Sequence, residues 1–248
     1  LATLNGAVAT RVKERQKVQA GVIPFHRRGR RVPLKRTFDI VTSLALLVLS
    51  LPLFVVVALA VKLTSRGPVL FGHARCGRYG RDFRCLKFRT MVEDAEAWLE
   101  RDPDLAAAHR EHGFKLPLRA DPRVTPVGRV LRFTHLDELP QLLNVVKGDM
   151  SLVGPRPIVD EELAWYGDRT AELLSVRPGV FGPWTGQGKR RVAYPERAEV
   201  ELGYVRNAGL LADCLILLKH LPVLMRGQRL ESHQGEGDRG VASASRVA

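Results

Sequence analysis

The chain has 248 residues, with 39 Lys and Arg against 26 Asp and Glu, a formal net charge of +13 and a pI near 10.3. That length supports one substantial core once an apolar run and both ends are set aside, and the charge suits nucleic acid, an anionic membrane surface or phosphorylated substrates without choosing among them. Three cysteines, Cys76, Cys85 and Cys214, are odd in number and lack zinc-like spacing, which excludes a disulfide framework and reads as reduced thiols facing a cytosol; the seven histidines form no ligand cluster.

Residues 1–33 are basic and carry no sustained helical or alternating apolar pattern, so a mobile arm along a membrane surface is expected. The first residue is Leu rather than Met, which is compatible with a fragment of a longer protein. Residues 34–66 hold the membrane element. Ile40 to Val61 contains about fifteen Leu, Ile, Val or Phe residues, worth about −5 to −9 kcal/mol for insertion, and reaches about 33 Å as a straight helix. Pro52 near its midpoint removes a backbone hydrogen bond and predicts a kink or break, where the Ser50 hydroxyl is able to satisfy a freed carbonyl. Basic residues crowd both flanks, from Arg27 to Arg36 and again at Lys62, Arg66, Arg75, Arg78 and Arg81. A simple span should show asymmetry; a helix that enters, bends and returns should not. A kinked span stays open on these grounds alone.

Residues 67–226 are expected to form one catalytic domain. Lys87 and Arg89, alternating with Phe88, read as a strand with both charges on one face. Glu93 to His112 reads as a polar surface helix interrupted at Asp102-Pro103, and Asp121 to Thr125 as a loop leading to a motif helix. In that motif, Thr134 is the expected N-cap, Pro140 fits a first turn, Leu139, Leu142, Leu143 and Val146 supply an apolar stripe, and Gly148 supplies the stop. Adjacent carboxylates Asp137 and Glu138 then sit near the positive end of a short helix, which suits metal binding or nucleophilic attack; ordinary first-turn capping is the plainer alternative. Arg156, between Pro155 and Pro157, presents a pre-organised fork for phosphate oxygens. Leu210 to Met225 is a second apolar stretch, too short and interrupted to span, read as interfacial rather than core. Residues 227–248 turn to Gly, Ser and charge and are expected to be disordered.

Taken in order, Lys35-Arg36-Thr37-Phe38-Asp39, the apolar run, Gly67 to Phe71, Lys87 to Met91, Leu136 to Gln141 with Gly148 to Pro157, Arg177 to Val180 and Tyr204 to Asn207 resemble the bacterial sugar transferases, monotopic polyprenyl-phosphate phosphoglycosyl transferases. The resemblance covers roughly residues 34 to 226. It implies a helix-rich α+β cytoplasmic catalytic domain on a re-entrant helix-break-helix, with interfacial amphipathic helices, at the cytoplasmic membrane. It further implies Asp137 as nucleophile, Glu138 as the Mg²⁺ ligand, Lys87 in the active site, and Arg156, Arg89, Arg177 and Glu201 around the substrate phosphates. The sequence alone does not say which acid does which. Relatives often read Gly-Leu-Trp-Gln-Val-Ser-Gly-Arg where this chain has Gly182-Pro183-Trp184-Thr185-Gly186-Gln187-Gly188-Lys189, carry aspartate where Glu201 stands, and have Ser-Pro where this chain has Leu51-Pro52.

The expected reaction moves a sugar 1-phosphate from a UDP-sugar to undecaprenyl phosphate, with Mg²⁺ as cofactor, membrane lipid as a further partner, no nucleic acid, and a homodimer left open. Competing readings are a membrane-tethered nucleic-acid binder, which lacks any matching motif, a glycosidase, whose two acids cannot flank a sugar ring from adjacent positions, and an impaired scaffold of a glycan pathway, which the departures near Trp184 keep open.

Overall fold

The computed structural model describes residues 32–111, 116–184, 192 and 194–226. Nearly all of the basic arm, the Thr185 to Lys189 departure and the tail lie outside these residues. Helix α1 (Val32–Leu49) and helix α2 (Leu51–Thr64) meet at Ser50 with a bend of 64°. Pro52 takes the first turn of α2, where its missing N–H costs nothing, so the proline starts a second helix instead of kinking one. The Ser50 hydroxyl donates to the Leu46 carbonyl at 2.6 Å and reaches that of Leu47 at 3.4 Å, giving carbonyls near the break a partner. Among the described residues no single helix is long and apolar enough to cross a membrane; the bent pair passes that test only together. At the bend Val48 and Leu49 are 74% and 80% exposed.

Both far ends of the pair dock on the rest of the chain. Strand β1 (Leu70–Cys76) pairs antiparallel with β2 (Asp82–Phe88), and two short helices, α3 (Ala95–Arg101) and α4 (Pro103–Glu111), break at Asp102 as the sequence indicates. Helix α5 (Pro126–Thr134) follows, then a 3-10 turn at Leu136–Glu138 and helix α6 (Gln141–Lys147). Strand β3 (Ser151–Val153) lies parallel to β4 (Gly179–Phe181); between them run a 3-10 segment at Asp160–Arg169 and helix α7 (Thr170–Leu173). Helices α8 (Glu196–Asn207) and α9 (Leu210–Arg226) complete a helix-rich mixed fold.

Three buried clusters hold these elements. Phe83, Cys85, Leu142, Val145, Leu152 and Tyr204 join β2, α6, β3 and α8. Val57, Val61, Phe88 and Leu131 join α2, β2 and α5, with the Phe54 and Phe88 rings 4.7 Å apart. Leu163, Tyr166, Leu173 and Leu202 form the third. At the other end of the pair, Asp39 accepts from the Ser151 hydroxyl (2.8 Å) and the Leu152 amide (3.2 Å). Arg36 donates to the Val145 and Val146 carbonyls at the end of α6, and Lys35 donates to Val153 and pairs with buried Asp213 of α9, which also receives the Tyr204 hydroxyl.

Three expectations need correction. Thr134 caps nothing ahead of it: it is the last residue of α5, an element the sequence reading missed, and its hydroxyl bonds back to Val130. The true cap is Thr125, whose hydroxyl accepts from the Gly128 amide ahead of Pro126, so the Asp121–Thr125 loop leads to α5 and not to the motif helix. The buried stripe of α6 is Leu142 and Val145 with Gln141 and Asn144, while Leu143 faces out. Asn144 wins the inner position because its side-chain amide accepts from the Leu86 amide (2.9 Å) and donates to the Arg84 carbonyl (2.8 Å), satisfying strand groups that would otherwise be buried unpaired. Gly148 does end the helix, at φ 104.

Helix α9 shows two faces. Asp213 and His220 are buried, with Ile216 and Leu217 packed inward, whereas Leu211, Leu215 and Leu218 form an exposed apolar row at helical spacing. No disulfide joins Cys76, Cys85 and Cys214.

Candidate active site

The two acids lie in the 3-10 turn between α5 and α6, not in an α-helical first turn. His135 makes the corner. It adopts a left-handed conformation at φ 58, which costs a non-glycine residue on the order of 1 kcal/mol and concentrates at functional sites. That corner turns Asp137 inward, 7% exposed, and leaves Glu138 partly open.

Lys87 meets them from β2. By the period of two it shares a face with Phe83 and Cys85, the face that α6 covers, so its ammonium emerges at the edge of a buried cluster and donates to Glu138 Oε1 at 2.5 Å. Asn144 fixes this register by bonding the strand one residue before Lys87. Arg132, from the last turn of α5, donates to the Thr90 hydroxyl at 2.8 Å, and its charge acts on Asp137. Arg156 follows β3 by three residues; its side chain is exposed and its charge reaches Glu138.

These surroundings split the two acids. Burial pushes the Asp137 carboxyl above the usual carboxylate range, with Lys87 and Arg132 opposing the shift and the Glu138 charge adding to it. Burial alone would raise Glu138 too, but the Lys87 ammonium and its hydrogen bond, with Arg156 and His135, hold Glu138 below the usual range. Among the described residues no group of three or more His, Cys, Asp or Glu side chains converges as a metal cage. A single carboxylate completed by substrate phosphate oxygens and water is nevertheless the habit of Mg²⁺, so the donor set fits that ion better than zinc or calcium.

The remaining candidates are placed elsewhere. Arg89 does not share a face with Lys87: β2 ends at Phe88, and the buried Arg89 side chain turns to Ser65 at the end of α2, donating to its carbonyl (2.9 Å) and hydroxyl (2.8 Å). Arg177 donates to the Gly148 carbonyl at 2.7 Å, at the far end from the acids of α6, a helix about 10 Å long. Glu201 is fully buried and holds a hub together. It accepts from Arg197 Nε and Trp184 Nε1 at 3.0 Å each, from the Tyr166 hydroxyl, and more weakly from the Arg156 amide at 3.4 Å. Glu201 therefore supports the backbone under Arg156. Arg132, His135 and Asn144 were not singled out from sequence, although Arg132 and His135 stand only five and two residues before Asp137.

The family model described as bacterial sugar transferase matches residues 30–227. Over 194 residues the chain is 43% identical to exopolysaccharide production protein ExoY of Rhizobium meliloti (strain 1021), covering 77% of this chain and 84% of that one. It is 47% identical over 198 residues to an undecaprenyl-phosphate galactose phosphotransferase of Salmonella typhimurium, covering 78% of this chain and 40% of that longer protein. It is 39% identical over 199 residues to a UDP-glucose:undecaprenyl-phosphate glucose-1-phosphate transferase of Caulobacter vibrioides, covering 77% of this chain and 69% of that one.

Proposed function

The chain belongs to the bacterial sugar transferase family, and from that premise we propose that it moves a sugar 1-phosphate from a UDP-sugar to undecaprenyl phosphate. UMP leaves, undecaprenyl-diphosphate-sugar forms, and assembly of a surface glycan begins. The observation that carries this reading is the pairing of a buried carboxyl, Asp137, with an ionised Glu138 held by Lys87, Arg132 acting on the first and Arg156 on the second.

In the first half-reaction the Asp137 carboxylate attacks the phosphorus that carries the sugar, and the bond to the UMP oxygen breaks. An aspartyl phosphosugar results, so one hard transfer becomes two easier ones. Lys87, Arg132 and Arg156 offset the charge that spreads over the phosphoryl oxygens and favour the ionised nucleophile in its buried setting. In the second half-reaction the undecaprenyl phosphate oxygen attacks the same phosphorus and frees Asp137. Glu138 would hold Mg²⁺, which would supply further charge neutralisation at the phosphates. The bent apolar pair supports seating on the cytoplasmic membrane as a re-entrant element, with the catalytic domain on the cytoplasmic face, because both of its ends dock on one domain.

The test is UMP release from a panel of UDP-sugars by detergent-purified protein with undecaprenyl phosphate. Asp137→Asn should retain less than about one per cent of wild-type turnover, the scale for losing a covalent nucleophile. Mixed with donor and no acceptor, the wild type should gain the mass of a sugar phosphate on the peptide carrying Asp137. Turnover by Asp137→Asn near the wild-type rate would rule out the covalent route.

A further inference from the structure

Arg89 takes no part in the chemistry above, yet it is only 6% exposed. Its Nη2 is bonded to Ser65, while Nε and Nη1 have no hydrogen-bond partner and no described carboxylate forms an ion pair with it. The Glu93 carboxylate lies near it without bonding it, so this buried guanidinium is only partly compensated, which is costly. The chain nonetheless makes room for it. Gly67 sits at φ +101, and a Cβ there would lie 2.3 Å from Arg89 Nη1 and 2.8 Å from the Glu93 carboxyl carbon, so only glycine fits at the exit of α2.

Beside this cation lies a cavity of about 690 Å³, walled by Ser65, Arg66, Glu93, Asp94, Thr125 and Arg129 among others. Arg66 and Arg129 share this wall with Glu93 and Asp94, and Asp94 is also engaged by Arg101 at 3.3 Å. With Arg89 behind the wall, the cavity is short of negative charge. Its volume suits a headgroup-sized ligand. Helix α5 runs from this cavity, at Thr125 and Arg129, to Arg132 and His135 beside Asp137, about 13 Å away for nine residues.

We propose that this cavity is a second phosphate site, separate from the Asp137–Glu138 centre, which takes a phosphate group at the depth where α2 leaves the apolar layer. The headgroup depth rests on the membrane reading of the helix pair; the binding of phosphate does not. Arg66 and Arg129 form its outer contacts, and the fixed charge of Arg89 sets its preference for anions.

The test is thermal unfolding of the full chain in detergent with dihexanoyl phosphatidic acid, inorganic phosphate or dihexanoyl phosphatidylcholine. Arg66 and Arg129 are exposed, so Arg66→Gln and Arg129→Gln should fold. Phosphatidic acid should stabilise the wild type, and each of these variants should need at least about tenfold more of it for the same shift, the scale for losing one charge-assisted hydrogen bond. Arg156→Gln should respond like the wild type. Stabilisation by phosphatidic acid but not by inorganic phosphate assigns the site to lipid; stabilisation by both assigns it to the phosphate group alone. No stabilisation by either, or a shift lost in Arg156→Gln and kept in Arg129→Gln, overturns the second site. The readout is binding, so it stands or falls independently of UMP release.

Discussion

Asp137 and Glu138 are neighbours in the chain, yet their carboxyls are driven in opposite directions, one up by burial and one down chiefly by Lys87. Removing the lysine should therefore act on Glu138 first. In Lys87→Met, Glu138 protonates at higher pH, so the acid limb of the rate profile should move up toward neutrality; UMP release at pH 7 should fall by about a hundredfold or more, the scale for losing one electrostatic partner of a transition state. An acid limb that stays in place would show that Glu138 does not depend on Lys87. Asp137 has the reverse sign. A carboxyl raised by burial weakens the native state once pH exceeds its ordinary value, so Asp137→Asn should lose turnover while its Tm at pH 7 stays level or rises. A fall of several degrees in that melt would mean that Asp137 is a structural group.

At the scale of elements, the site depends on how β2 is fastened to α6. Asn144 supplies both bonds of that fastening, which apolar periodicity could not reveal because an inward asparagine looks like a break in a stripe. Asn144→Leu should cost about 1–3 kcal/mol in denaturant unfolding by leaving a strand amide buried and unpaired. It should also lower turnover by letting Lys87 drift from Glu138. Helix α5 was hidden for a related reason. It has Gly128 in its interior and exposed Val130 and Phe133, and Thr134 beside the acids mimics an N-cap while serving as an end. The bend at Ser50 was legible because proline restricts the backbone whatever surrounds it. Pro52→Ala should favour one continuous helix by up to about 3 kcal/mol, read as a fraction of molecules whose two helix ends label from opposite sides.

Across the whole molecule, the helix-rich mixed class and the residues that carry family membership were readable, because Leu136 to Gln141 and Gly148 to Pro157 are constrained by chemistry rather than by packing. The partners of Arg89 and Arg177, and the Tyr166 and Trp184 partners of Glu201, were not, since each is set by contacts between distant segments that no local pattern encodes. The re-entrant reading makes a further prediction at this scale. Cysteines introduced at Pro33 and at Leu63, in a background without the three native thiols, should both resist an impermeant maleimide in intact spheroplasts and both react after lysis. Modification of the Pro33 site alone in intact cells would establish a span.

The clasp formed by Lys35, Arg36 and Asp39 at one end of the bent pair, with Phe54, Val57 and Val61 holding the other, leaves no hinge between anchor and catalyst. On the re-entrant reading, the height of Asp137 above the lipid is then a constant of the fold, not of a tether. Such a protein has no reach: a lipid-borne acceptor must find it by diffusing in two dimensions, and a water-soluble donor must descend to it. An insertion of one helical turn on each side of Ser50 would deepen the wedge by up to about 5.4 Å without moving the clasp, so its effect on turnover measures how closely the enzyme is tuned to the thickness of a single leaflet.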